Sequence, residues 1–146
     1  MTPEREIQQV LARYCRAVDA RDGAAVAALY TDDGREQVSY NRAGVSEPLA
    51  EFTGVDAIAK AVSTVLAPHP PLGWAHHTTH DHIIEIDGDH ATMDAQFVVF
   101  EADGNRHAVT PTLSGYYRIR LRHVDGRWSM TDNETIIDLP LTVEGA

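Results

Sequence analysis

Three Asp-Gly pairs divide the second half of the chain into four long β-favouring segments. The pairs are Asp87-Gly88, Asp103-Gly104 and Asp125-Gly126. An Asp-Gly pair between runs of β-branched and aromatic residues is typical of a hairpin turn. We therefore predict four consecutive antiparallel strands, over residues 76–86, 90–101, 107–123 and 127–138.

Helical periodicity dominates the first half. Thr2 and Pro3 suit the start of a helix, and apolar residues then recur at helical spacing until about residue 20. A short second helix is expected after Asp22, and a third over residues 55–66. Between them we predict a short strand over 35–40 and a loop over 41–53, because Gly44 and Pro48 interrupt regular structure.

Helices followed by an antiparallel meander predict an α+β fold. The length of 146 residues suits one domain spanning residues 1–146. The formal net charge is -10, and the 12 positive side chains form no basic run. Nucleic acids and anionic membranes both attract clustered Lys and Arg, so neither is expected as a partner. A single cysteine, Cys15, and a polar N-terminus favour a cytoplasmic protein.

Several segments carry a resemblance to a known family. The helical stretch 7–22, the turn LYTDDG at 29–34, GVDAI at 54–58, the strand and hairpin at 76–89, and GRW at 126–128 resemble SnoaL-like proteins of the nuclear-transport-factor-2-like superfamily. The resemblance implies a curved, mixed but mainly antiparallel sheet that forms a cone-shaped half-barrel. N-terminal helices are then expected to close a central small-molecule pocket.

Within that superfamily, three positions resemble those of enzymes that catalyse eliminations: scytalone dehydratase, bile acid dehydratase and hexachlorocyclohexane dehydrochlorinase. Asp19 and His77 fall where these enzymes carry an Asp-His dyad, and Tyr14 matches a tyrosine of the bile acid enzyme. The resemblance implies that His77 removes a proton from a substrate carbon and that Asp19 orients it. Tyr14 is expected to donate a hydrogen bond.

The chemistry of these residue types fits that role. Histidine has an unperturbed pKa of about 6.5, which suits a base at neutral pH. A carboxylate on the second ring nitrogen fixes the tautomer. Such a set needs no metal and no organic cofactor, and neither is expected. Because His77 stands where its strand opens onto the pocket, we expect its ring to contribute little to the core.

The histidines of this strand leave alternatives open. Strand alternation places His76, His80 and His82 on one face and His77 on the other. His76 therefore faces the pocket if a bulge shifts the strand by one residue. His80 and His82 could bind a metal from one face.

The expected ligand is a small, apolar, aromatic or cyclic molecule. Further residues are expected to line its pocket: Tyr30, Tyr40, Trp74, Phe97, Tyr116 and Asn133. The leading hypothesis is a dehydratase-type lyase or an isomerase. The alternative is a binding or protein-interaction module that catalyses nothing. A homodimer is expected, because a curved sheet leaves its convex face uncovered.

Overall fold

The computed structural model describes residues 1–140, which form three helices and six strands. The helices are Pro3–Asp19 (α1), Gly23–Ala27 (α2) and Val55–Val65 (α3). The strands are Tyr30–Arg42 (β1), Val45–Thr53 (β2), Gly73–Asp87 (β3), His90–Asp103 (β4), Ala108–Val124 (β5) and Arg127–Ile137 (β6). The predicted domain runs to residue 146, so residues 141–146 lie outside the described part.

The strands form one curved sheet in the order β2-β1-β6-β5-β4-β3. β1 and β6 run parallel, and every other neighbouring pair is antiparallel. Helices α1 and α3 pack on the sheet and enclose the apolar core with it, and α2 packs against both of these helices. The predicted α+β fold with a mixed, mainly antiparallel sheet is therefore confirmed.

The loop predicted over residues 41–53 is wrong for most of its length. Residues Val45–Thr53 form β2, which pairs with β1 at the edge of the sheet. Pro48 is tolerated because β2 is an edge strand and because the pairing shifts register opposite Val38 and Ser39. The proline therefore marks an irregular edge strand rather than the absence of a strand.

Helix α1 places the first residues of the site. The Thr2 hydroxyl accepts a hydrogen bond from the Arg5 amide at 3.3 Å and caps the helix, with Pro3 in the first turn. Its buried face includes Leu11, Tyr14 and Asp19. The chain turns at Arg21, whose φ of 57° is left-handed, so Asp19 lies at the last helical position.

Gly23 allows α2 to approach α3 closely. A Cβ at this position would lie 2.1 Å from the carbonyl oxygen of Ala59. That distance is far inside van der Waals contact, so only glycine fits without moving the helices apart. Helix α3, held close to α2 in this way, contacts β1 and β2 of the sheet.

A bulge interrupts β3. His80 pairs with Gln96 and Ile83 with Asp94, so β3 has one residue more than β4 over this span. Asp81 has a left-handed φ of 54°, a conformation that aspartate adopts more readily than most residues. The alternation of inward and outward side chains is therefore reversed beyond this point.

No helix within residues 1–140 has the length and apolar character needed to cross a membrane.

Candidate active site

A small cavity lies between the helices and the concave face of the sheet. Its volume is about 110 Å³, of the same order as the ~150 Å³ apolar cavity that accepts one benzene ring. Most of the wall is apolar. The polar side chains that reach it are Tyr14, Glu36, His77, Tyr117 and Thr135.

Asp19 and His77 meet at the cavity wall. Nδ1 of His77 lies 2.5 Å from Oδ1 of Asp19, and the His77 amide donates to Oδ2 at 3.2 Å. Their side chains are only 10% and 9% exposed. Since a carboxylate only accepts, Nδ1 carries the proton in the neutral imidazole, which leaves the lone pair on Nε2. The predicted contact between the two side chains is present.

Two contacts fix the end of α1 behind this pair. The imidazole of His69 donates from Nε2 to the Asp19 carbonyl oxygen at 2.5 Å. The Arg21 guanidinium donates to the carbonyl oxygens of Val18 and Ala67, each at 3.0 Å. The segment after α3 therefore holds the last turn of α1, and the carboxylate of Asp19 is presented to β3.

A second buried polar cluster reaches the cavity. The Tyr14 hydroxyl donates to Oε1 of Glu36 at 2.5 Å, and the Tyr30 hydroxyl donates to Oε2 at 3.2 Å. Asn133 donates to the Tyr30 oxygen at 3.3 Å. Burial raises the pKa of Glu36, although the hydrogen bonds from Tyr14 and Tyr30 oppose that shift. Burial, and then the nearby Glu36, raise the pKa of both tyrosines.

Glu36 was not predicted to be a site residue. Its side chain faces inward from β1, two residues before Val38, and both line the cavity. The available signal was strand alternation, which places the two on one face. What makes a buried carboxyl tolerable is the pair of tyrosines, and one of them comes from α1.

Two buried oxygens have no hydrogen-bond partner within residues 1–140. They are Oγ1 of Thr135, which lines the cavity, and Oδ1 of Asn133. A buried polar atom without a partner costs about 1–3 kcal/mol. Thr135 Oγ1 is therefore available to a ligand in the cavity.

The model of the SnoaL-like domain family matches residues 1–133. The chain belongs to the SnoaL-like domain family. Among curated protein sequences, none matches it significantly. Solved structures confirm the fold of this SnoaL-like domain, and the three described next share between 19% and 26% of its sequence.

A protein of unknown function from Mycobacterium tuberculosis is 26% identical, with a TM-score of 0.71 over 93% of this chain and 72% of that one. A scytalone dehydratase-like protein from Novosphingobium aromaticivorans is 20% identical, with a TM-score of 0.73 over 98% and 90%. A third protein, from the same organism, is described as the β subunit of an aromatic-ring-hydroxylating dioxygenase. It is 19% identical, with a TM-score of 0.76 over 95% of this chain and 91% of that one. These likenesses establish the fold alone.

Some of the predicted pocket residues line the cavity of the SnoaL-like domain and others do not. Phe97 lines it, as do Tyr14 and His77. Tyr30 and Asn133 are buried behind the wall, where they support Glu36.

Trp74, Tyr40 and Tyr116 lie outside the cavity, which corrects their assignment. Alternation turns Trp74 and Tyr116 outward, where they are 42% and 41% exposed. Trp74 stacks on His69 instead, and Tyr117 occupies the inward position beside Tyr116. Tyr40 follows the register shift in β1, and its ring lies 5.8 Å from the Arg42 guanidinium.

The structure also decides between the alternatives for the histidines of β3. His77 faces the cavity, whereas His76 and His80 are exposed on the outer face. The bulge moves His82 to the inner side, where its Nε2 contacts the Thr79 hydroxyl at 3.2 Å. The expectation that His76, His80 and His82 share a face is therefore wrong. Within residues 1–140, no three His, Cys, Asp or Glu side chains are grouped as metal ligands would be.

Proposed function

We propose that this SnoaL-like domain is an enzyme that removes a proton from carbon without a cofactor. Its class is a dehydratase-type lyase or an isomerase, and its substrate is a small, mostly apolar, cyclic molecule. The observation that carries the proposal is the geometry of His77. Asp19 occupies Nδ1 at 2.5 Å, while the ring lines an apolar cavity. An imidazole held in this way has one basic nitrogen left.

The chemical step needs only this nitrogen and a substrate with an acidic C–H bond. Nε2 of His77 accepts the proton, and the electron pair of the C–H bond forms a new double bond. In an elimination, a leaving group departs from the adjacent carbon with its bonding electrons. In an isomerisation, the proton returns to a different carbon. Asp19 stabilises the imidazolium that forms in either case.

The apolar wall supports the choice of substrate. Phe97 stands 5.9 Å from the His77 ring, and Tyr117 lies 4.6 Å from Phe97, both as ring-centroid distances. Flat aromatic faces beside the base suit a ring that presents its C–H bond edge-on. The cavity volume favours a substrate of about one ring.

Cys15 is buried and is not among the residues that line the cavity. Burial raises the pKa of Cys15 to about 12, so the side chain remains a thiol. The thiolate, not the thiol, is the nucleophile in cysteine chemistry. Acid-base chemistry by His77 therefore suits the site better than covalent catalysis by Cys15.

We further propose that the protein forms one domain over residues 1–146 and works as a homodimer in the cytoplasm. The single buried Cys15 supports a reducing compartment. Tyr116 and Ile83 are large hydrophobic side chains exposed on the outer face of the sheet, which supports self-association.

The test uses the β-acetoxy derivative of cyclohexanone, a one-ring ketone that loses acetate when a base removes a proton from the carbon next to its carbonyl group. We expect the protein to accelerate the loss of acetate and His77→Asn to lower the rate about 10²–10⁴-fold. Asparagine keeps a donor toward Asp19 but offers no basic nitrogen. Asparagine is used instead of alanine because alanine would leave the buried carboxylate of Asp19 without a partner. The burial of this pair also corrects the expectation that the His77 ring contributes little to the core.

His80→Asn is the matched control. His80 lies on the outer face of the same strand and contacts Asp81 at 3.1 Å, but both side chains are exposed. We expect this variant to keep the wild-type rate. Equal rates for His77→Asn and the wild-type protein would reject the base and favour the alternative, a binding module.

A further inference from the structure

Glu36 is a buried carboxyl group that the proposed base does not use. It is 9% exposed and lines the cavity. The titratable groups facing it are Tyr14 from α1, Tyr30 from β1 and Tyr117 from β5. Within residues 1–140 no Lys, Arg or His forms an ion pair with it. Glu36 therefore differs from Asp19, which is paired with His77.

Burial without a neighbouring cation disfavours the ionised form of Glu36. Burying an ionised carboxylate without a cation is costly, and such a group takes up a proton instead. Burial raises the pKa of Glu36, whereas its two tyrosine hydrogen bonds lower it. When Glu36 is protonated, it can donate to the Tyr14 oxygen, and the Tyr14 hydroxyl proton is then free to point into the cavity.

We propose that Glu36 is protonated in the resting protein and that it supplies, through Tyr14, the proton taken up by a departing hydroxide. This inference rests on the proposed function and narrows it to elimination of water from a neutral, cyclic β-hydroxy carbonyl compound. The carbonyl group makes the C–H bond next to it acidic, and the hydroxyl group sits one carbon further on.

The separation of the two proton-handling groups favours elimination over isomerisation. An isomerase can return the abstracted proton with the same base, so it needs no second acid. Loss of water consumes a proton at a different atom. Tyr14 and Asp19 are five residues apart in α1, about 7.5 Å along the helix axis. Tyr14 and His77 both line the cavity, so one ligand can contact both side chains.

The step balances without any further reactant. His77 Nε2 takes the proton from carbon, the C–H electrons form the C=C bond, and the C–O bond breaks toward oxygen. The leaving oxygen takes the Tyr14 proton, and Tyr14 takes the Glu36 proton. The products are the unsaturated carbonyl compound and water, and the protein holds His77 as imidazolium and Glu36 as carboxylate. Proton transfer through solvent restores both.

The protonation state of Glu36 can be measured without a substrate. We expect the infrared difference spectrum of wild-type protein minus Glu36→Gln to show the C=O stretch of a protonated carboxyl group near neutral pH. Glu85→Gln, which removes an exposed carboxylate from β3, should give the signal of an ionised group under the same conditions. An ionised Glu36 near neutral pH would overturn the inference whether or not turnover is observed.

A pair of leaving groups tests the proton path. The probes are the β-hydroxy and β-acetoxy derivatives of cyclohexanone, which yield the same enone, while acetate departs without needing a proton. We expect Glu36→Gln to lower the ratio of hydroxy to acetoxy rates about 10²-fold or more. An unchanged ratio would overturn the inference. His77→Asn should slow both probes together, whereas Glu36→Gln should slow the hydroxy probe more than the acetoxy probe, so failure of the base and failure of the acid are distinguishable.

Discussion

Nδ1 of His77 lies 2.5 Å from Oδ1 of Asp19, although the two residues are 58 positions apart in the chain. One residue ends α1 and the other lies near the start of β3. The contact therefore links the helical half of the fold to the sheet. It also leaves Nε2 as the only basic ring nitrogen of His77, so any loss of the Asp19 carboxylate changes which nitrogen carries the proton.

Asp19→Asn should lower kcat for the loss of acetate from β-acetoxycyclohexanone about 10²-fold or more, with little change in KM. The amide keeps the shape of the side chain but allows the other tautomer of His77, in which Nε2 carries the proton. Nitrogen NMR of His77 reports the tautomer directly. Asp81→Asn, beside the exposed His80, is the control and should change neither. Retention of the Nδ1-protonated tautomer in Asp19→Asn would contradict this account.

Tyr14→Phe should raise the pKa of Glu36 further, because it removes one of the two hydrogen bonds that oppose the effect of burial. The infrared band of the protonated carboxyl group should then persist to higher pH than in the wild-type protein. The variant should also lose about 1–3 kcal/mol of stability. Tyr40→Phe removes a hydroxyl outside the cavity and should leave the band where it is. A band that titrates at lower pH in Tyr14→Phe would count against the assignment.

Glu36→Gln should change how stability depends on pH. Because the folded pKa of Glu36 is raised above its ordinary value of 4.5, the unfolded chain loses this proton first as the pH rises. The wild-type protein therefore loses stability from about pH 4.5 upward until Glu36 ionises in the folded state. Each tenfold difference in proton affinity corresponds to about 1.4 kcal/mol.

Glutamine does not titrate, so the variant should lack this loss. Urea unfolding at a series of pH values measures the difference between the two proteins. The free energy of unfolding of Glu36→Gln should rise relative to wild type across the window. Parallel pH profiles for the two proteins would show that Glu36 has its ordinary pKa when folded.

The outer face of the sheet should carry a dimer interface. Tyr116 is 41% exposed there, and Ile83 is 63% exposed on the same sheet. Covering apolar side chains of this kind is a common basis of homodimers. Sedimentation should give a dimer at micromolar concentration, and Tyr116→Glu should shift it toward monomer. A monomer for the unmodified chain would remove the prediction.

Local signals predicted most of the fold. Each Asp-Gly pair marks a hairpin, and Gly88 and Gly126 have the left-handed φ that such turns require. The capping residues of α1 likewise predicted its start. Strand β2 was not predicted, because a proline such as Pro48 indicates a break in a strand when the neighbouring strands are unknown. Only the sheet order shows that this segment is an edge strand.

The candidate site was predictable where a motif carried it and not where packing did. Asp19, His77 and Tyr14 followed from a resemblance, and their catalytic roles remain predictions. Which of Tyr116 and Tyr117 faces the cavity depends on strand alternation. A shift of one residue in the strand register would exchange the two positions. Glu36 depends on two tyrosines that only the folded chain brings to it.

The bulge at Asp81 divides β3 into two parts in which the inward and outward positions alternate in opposite phase. Before it, the inward positions are odd-numbered and include His77; after it, they are even-numbered and include Ile84 and Ile86. Deleting Asp81 would make the alternation continuous along β3, so the side chains of one half of the strand would have to change faces. Either His77 would leave the cavity or two isoleucines would leave the core. One exposed aspartate thus lets a single strand direct His77 into the cavity and the two isoleucines into the core.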